Sequence, residues 1–232
     1  MVIFTVGCNF QCEFCHNKHL LQKDAGRGYQ VSELLQRIKL NKLVSSVSIT
    51  GGEPSLQVDL IEVCEGIKKM EKYLSIDTNG SNPNILSDIL KYADRVDLDF
   101  KSLLITRRLK KILGVYLNEA RFRESFELLN QKNGLDFEIR TTMVQNLHTI
   151  EDIHQILEFL IDNHFRGTYV LQQYQYNEGV GEKFKDKFQK PEHHTLITIL
   201  RPYVSRSRDF KIYLRDDIEG YELIENIINK IK

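Results

Sequence analysis

Little in this chain of 232 residues is present in excess. Lys+Arg and Asp+Glu stand at 32 each, which leaves no net charge. A balanced chain offers no bulk field to draw it onto nucleic acid or an anionic membrane surface, so neither partner is expected. No run approaches the roughly 18 apolar residues of a membrane span. The first residues lack a basic stretch followed by an apolar one, so no secretion signal is expected and the expected location is the cytoplasm. There is no internal repeat at a fixed period and no low-complexity linker. One domain, residues 1–232, is the economical expectation for this length, which suffices for a substantial core. Cysteine is scarce at four residues, yet Cys8, Cys12 and Cys15 fall in one short stretch. That clustering argues for metal or redox chemistry rather than disulfides.

The stretch is Cys8-Asn9-Phe10-Gln11-Cys12-Glu13-Phe14-Cys15, spaced C-x3-C-x2-C, directly after the β-type run Val2 to Val6. Three thiolates this close can converge on one metal centre but leave it one ligand short of four. Iron–sulfur cubanes are held by cysteine thiolates, and three protein ligands keep one iron open to a substrate or cofactor. The competing readings are a Cys3His zinc site completed by His16 or His19, and no metal at all. Zinc sites usually come as two pairs separated by a loop, and no second pair follows here. Cys64 lies in the helical apolar stripe Leu56, Leu60, Cys64, Ile67 and is expected to be a buried core thiol.

Taken in order, the chain alternates strand and helix signals. Strands are expected at Val2–Val6, Val44–Thr50, Leu74–Asp77, Arg95–Lys101, Asp136–Val144, Gly167–Gln173 and Phe210–Leu214. Helices are expected from Val31 to Leu40, about Leu56 to Tyr73, Pro83 to Tyr92 with Asn82 as N-cap, Asn118 to Lys132, Thr149 to His164, Glu192 to Val204, and Glu219 to Ile231. Residues 103–115 read as basic and partly helical, and residues 175–190 as a long polar loop. Such alternation predicts an α/β fold of about six βα units with a parallel sheet.

Parallel βα architectures place their sites at the carboxyl ends of the strands. The notable polar residues fall there: the cysteine loop, Gly51-Gly52-Glu53-Pro54, Asp77-Thr78-Asn79-Gly80, Lys101, and Gln172-Gln173. Two glycines let a strand end approach a ligand closely, and its backbone carbonyls suit an ammonium donor. The plain alternative is a Gly-Gly turn with a helix-starting proline. Asp77 to Gly80 also reads as ordinary Asx-turn chemistry. Arg140 is a cation inside a β run and needs a partner, for which Asp99 is a candidate. His193-His194 reads as a solvated helix cap and Arg107 to Lys111 as a solvated basic face.

The cysteine spacing followed by Gly51-Gly52-Glu53-Pro54 resembles the radical S-adenosylmethionine (SAM) superfamily. Gly7-Cys8-Asn9-Phe10, Cys15-His16-Asn17, Asp77-Thr78-Asn79-Gly80, Arg140-Thr141-Thr142, His148 to Asp152 and Leu171-Gln172-Gln173 follow in the order of the anaerobic ribonucleoside-triphosphate reductase activating proteins. The likeness runs from about Val2 to Gln173, with residues 174–232 as an extension. It implies a partial (βα)6 TIM-type barrel of parallel strands with helices outside. It also implies a [4Fe-4S] cluster on Cys8, Cys12 and Cys15, whose open iron is chelated by SAM. In this resemblance Gly51, Gly52 and Glu53 receive the SAM amino group, Phe14 lies beside the adenine, and Asp77 and Asn79 lie near SAM and the glycyl substrate. Lys101 pairs with the SAM carboxylate, and Arg140 and Gln172 serve as further cofactor contacts.

The implied reaction is reductive cleavage of SAM to methionine and a 5′-deoxyadenosyl radical. That radical takes hydrogen from the α-carbon of a glycine in an anaerobic ribonucleotide reductase or another glycyl radical enzyme. Flavodoxin or ferredoxin would supply the electron, and Arg107 to Lys111 could dock such an acidic donor. Relatives carry a further segment before the first strand, and some carry a ferredoxin-like insert whose cysteines are missing here, which favours a single-cluster enzyme. The rival expectations are a radical SAM enzyme acting on a small molecule such as a deazapurine-type precursor, and a metal-binding module without catalysis.

Overall fold

The computed structural model describes residues 1–22, 24–102, 106–207 and 209–231. The chain forms two compact units. The first comprises Met1–Gln11, Asn17–Leu98 and Asn118–Phe137, and the second Cys12–His16, Asp99–Leu117 and Glu138–Lys232.

In the first unit, strands β1 (Val2–Thr5), β2 (Ser46–Gly51), β3 (Tyr73–Thr78) and β4 (Arg95–Asp99) pair side by side, all parallel. Helices α1 (Val31–Leu40), α2 (Leu60–Lys69) and α3 (Pro83–Ile89) connect them. The strands alternate as a half-buried sheet should. Val47, Ile49, Leu74, Ile76, Val96 and Leu98 are fully buried or nearly so. Each such side chain contributes about 1.5–3 kcal/mol by leaving water. Ser46, Ser48, Ser75 and Asp77 alternate with them and point to the other face.

The second unit begins its regular structure with α4 (Thr106–Leu113), and α5 (Glu119–Gln131) belongs to the first unit. Strands β5 (Asp136–Met143), β6 (Thr168–Gln173) and β7 (Lys211–Asp216) are parallel and joined by α6 (Ile150–Asp162) and α7 (His193–Leu200). Thr149 and Asp152 close a capping box at the start of α6. Asp152 also accepts two bonds from Arg108 of α4, which donates to the Leu147 carbonyl as well. The basic stretch is therefore only partly solvated: Arg107, Lys110 and Lys111 are exposed, whereas Arg108 is a structural tie. Residues 103–105 of that stretch lie outside the described residues.

Three expectations about helix bounds and caps change. The helix expected from Leu56 to Tyr73 is one turn at Pro54–Leu56 followed by α2, and Glu71 in the left-handed region (φ 56°) leads into β3. Asn82 does not cap α3 with its side chain, which donates instead to the Ser55 carbonyl at 3.1 Å. The terminal helix is shorter than expected: Gly220–Leu223 forms an antiparallel strand, β8, against β7, and only Ile224–Ile231 is helical (α8). The hairpin is set by the Asp216 carboxylate, which accepts from the Ile218 and Glu219 amides, and by Gly220 at φ 75°. A single short strand carries too few residues for its period to be told from a helix start.

Candidate functional site

In the first unit the ends of β1 and β2 converge through their backbones, and the end of β3 joins them through the Glu53 side chain. The Gly52 amide donates to the Thr5 carbonyl and the Glu53 amide to the Gly7 carbonyl, both at 2.9 Å. A Cβ on Gly52 would overlap the Gly7 carbonyl oxygen, and Gly51 has φ 115° against the Thr5 backbone. The glycine pair thus lets the start of the cysteine loop press directly onto the end of β2. Asn17 reaches the Gly51 carbonyl at 3.5 Å from the far side of that loop.

Glu53 is 1% exposed. Its carboxylate accepts from the Ser55 amide, the Thr78 hydroxyl (2.8 Å) and the Asn79 amide (2.7 Å). Burial pushes its pKa up, and these donors partly oppose the rise. Glu53 therefore ties the end of β2 to the end of β3. Asn79, so placed, donates to Asn9 Oδ1 at 2.8 Å and to Cys8 Sγ at 3.9 Å. Asn9 in turn donates to the Ser81 hydroxyl at 2.8 Å. Asp77 is half-buried on the polar face of β3. Cys8 is also approached by the Phe10 amide at 3.4 Å.

In the second unit Cys12 is buried and Cys15 half-buried, and the Cys15 amide closes a turn on the Cys12 carbonyl. Lys101 is paired with Asp99. Burial works against its charge, but Asp99 and the nearby sulfurs of Cys12 and Cys15 outweigh burial and hold its pKa above the ordinary lysine value. His148 fixes the backbone there: Nε2 meets the Lys101 carbonyl at 2.9 Å while Nδ1 accepts from the Val144 amide at 3.1 Å. Those partners require the neutral ring protonated on Nε2. Burial, the largest cause, lowers the His148 pKa accordingly.

Phe14 is buried, with ring edges against His148 at 6.0 Å and Phe188 at 6.3 Å. Arg140 finds its partner two residues back on the same strand face: Nε and Nη2 both donate to Glu138 Oε1, and Tyr221 donates to Oε2 at 3.1 Å. The Glu-x-Arg alternation was the sequence signal for that pair, in place of the expected Asp99. Gln172 lies across from Thr142 on this polar face. Gln173 points the other way and is structural, donating to the Pro191 carbonyl at 2.7 Å. His193 is no solvated cap, since its Nδ1 meets Asp216 at 2.5 Å. Asn9, Ser81 and His148 are the residues whose part sequence reasoning did not assign.

All four cysteines are thiols rather than disulfides, and Cys64 is fully buried with its pKa pushed up to about 12 by burial. Among the described residues no three His, Cys, Asp or Glu side chains stand close enough to hold a single metal ion. The donor set fits an iron–sulfur cluster on other grounds: three cysteines on one short loop, with amide donors at Cys8 and the Lys101 ammonium near Cys12 and Cys15.

The chain matches the family model described as the radical SAM superfamily over residues 2–160. A protein of Methanocaldococcus jannaschii, named as a candidate glycyl-radical enzyme activating enzyme, is 30% identical over 207 residues, 84% of this chain and 80% of that protein. The structure of Streptococcus suis SuiB bound to S-adenosylmethionine aligns with a TM-score of 0.68 at 20% identity, covering 93% of this chain and 50% of SuiB. This chain thus spans about half the length of SuiB. A domain of pyruvate-formate lyase-activating enzyme from Bacteroides vulgatus aligns with a TM-score of 0.57 at 17% identity, over 72% of this chain and 98% of that domain. At such identities the two structures speak for the fold alone.

Proposed function

This chain belongs to the radical SAM superfamily, and from that premise we propose that it installs a glycyl radical on an anaerobic ribonucleotide reductase. It is a radical SAM enzyme whose cofactors are a [4Fe-4S] cluster and S-adenosylmethionine. When bound, the two groups supply hydrogen-atom abstraction, driven by one electron from flavodoxin or ferredoxin. Glycine suits the substrate position because no side chain shields its α-carbon.

In this reading Cys8, Cys12 and Cys15 hold the cluster. The backbone at Gly51 and Gly52 receives the SAM amino group. Glu53, turned inward onto Ser55, Thr78 and Asn79, positions that strand end rather than touching the cofactor. Lys101 serves the SAM carboxylate by exchanging Asp99 for it. Phe14, Asp77, Asn79, Arg140 and Gln172 complete the cofactor contacts. Within the superfamily, the single observation that supports a glycyl radical enzyme as the substrate is the 30% identity, over 84% of this chain, to the Methanocaldococcus jannaschii protein named as such an activating enzyme.

The test is electron paramagnetic resonance on anaerobically reconstituted, reduced protein. A cluster signal that changes shape on adding SAM is expected, followed by a glycyl doublet on co-incubated anaerobic ribonucleotide reductase. A doublet on a different glycyl radical enzyme would reassign the partner. SAM cleavage with no doublet on any protein would favour a small-molecule substrate. Cys12→Ala should lose cluster and SAM cleavage, and Cys64→Ala should keep both; full cleavage by the Cys12 variant would sink the ligand assignment.

A further inference from the structure

We propose that residues 174–190, between β6 and α7, form a strap that holds the Cys12–His16 part of the cysteine loop in shape for its cluster, with Gly179 and Phe188 as its positioning residues; the proposal rests on the radical SAM reading above. By sequence this segment is a polar loop. In the structure it carries two single helical turns, Glu178–Val180 and Glu182–Phe184. Its ends are fastened to the scaffold of the second unit. At the start, the Tyr174 amide donates to the Met143 carbonyl at 3.0 Å. At the end, the Gln145 amide donates to the Gln189 carbonyl, and the Gln189 amide to Asn146 Oδ1 at 3.1 Å. Asn146 also donates to the Lys187 carbonyl.

Between these fixed ends the strap grips the loop at successive residues. Lys187 pairs with Glu13 at 2.5 Å. The Phe188 ring meets the Phe14 ring edge-on, and also meets Tyr174 at 6.1 Å. The His16 ring stacks on Tyr174 at 5.5 Å with planes 26° apart, and its Nε2 meets the Gln175 carbonyl at 2.8 Å. Gly179 passes so close that a Cβ there would overlap the His16 carbonyl oxygen. The grip falls on Glu13 and Phe14, between Cys12 and Cys15, and on His16, directly after Cys15.

That pattern is what a ligand loop needs. A short irregular segment loses conformational entropy when its ligands are gathered, and a scaffold that orders it beforehand removes that cost from cluster binding. Phe14 and Phe188 do this by apolar contact, and Gly179 by leaving room for close backbone approach.

The experiment compares wild type with Gly179→Ala, Phe188→Ala, Phe188→Leu and Lys187→Ala. Gly28→Ala is the control, since a Cβ at Gly28 meets open space. Hydrogen exchange on the apoprotein reads peptides covering residues 12–16 and, separately, β6. Iron release to a ferrous chelator then reads the reconstituted protein. For Gly179→Ala and Phe188→Ala we expect exchange at 12–16 and iron release both faster by about tenfold, with β6 unchanged, as local opening predicts. Phe188→Leu should recover most of the protection, Lys187→Ala should show a smaller effect, and Gly28→Ala none. Wild-type exchange at 12–16 in both strap variants would overturn the proposal. So would acceleration that extends equally through β6, which would mean plain unfolding. Failure of wild type to take up a cluster would strike the cofactor reading, while the apoprotein exchange still decides the strap.

Discussion

The side-chain amide of Asn79 donates to Asn9 Oδ1 and to the sulfur of Cys8, while its oxygen accepts from the Ser81 amide. Hydrogen bonds to cluster sulfurs stabilise the more negative, reduced state, so they raise the potential. Removing the amide in Asn79→Ala should therefore lower the midpoint potential of the reconstituted cluster. A weak neutral bond of about 0.5 kcal/mol corresponds to about 20 mV for one electron. Redox titration followed by paramagnetic resonance checks this, and an unchanged or raised potential would remove Asn79 from the cluster's surroundings. The sequence marked Asn79 by its place at a strand end. It did not show that the amide turns toward Cys8, because that depends on Glu53 holding the Asn79 backbone.

Polar ties at element ends add to the apolar faces that hold the elements in place. The start of α6 is the clearest case. Asp152 accepts from the Thr149 amide and hydroxyl and from Arg108, and the Thr149 hydroxyl accepts from the Asp152 amide. Burial alone would raise the Asp152 pKa, but the bonds from Arg108 and Thr149 outweigh it and hold the carboxyl below the usual aspartate value. Asp152→Ala removes half of the capping box and the partner of Arg108. It should lower the unfolding free energy by about 2 kcal/mol, the upper end for a lost cap. Urea denaturation of the apoprotein measures it, and a loss within a few tenths would mean that α6 is held by its apolar face alone. The box was readable as Thr-x-x-Asp before an apolar run. The tie to Arg108 was not, since nothing in a basic run says which of its members turns inward.

For the whole molecule, buried His148 supplies one part of the pH response. The folded His148 pKa lies below the free value because of burial, so between the two values the unfolded chain binds more protons than the folded one. Its contribution to stability is fully present above about pH 6.5 and is lost as the pH falls below that toward the folded value. Protonation would cost Val144 its acceptor. In His148→Gln, the fall in urea midpoint between about pH 7.5 and about pH 5 should be smaller than in wild-type apoprotein; an equal fall would place the titration elsewhere. On this scale too, no helix among the described residues is long and apolar enough to cross a membrane. The sequence by itself determined what is local: the cysteine spacing, the period-2 strands and their order, the glycine pair that only a close backbone approach requires, and the buried Cys64. Covalent distance and side-chain period suffice for these. The tertiary structure alone decided what joins residues remote in the chain: Glu53 on Thr78 and Asn79, Arg108 on Asp152, His148 on the Lys101 carbonyl, and residues 174–190 on the cysteine loop. Such partners are fixed by strand register and loop path, which one sequence does not encode in any local pattern.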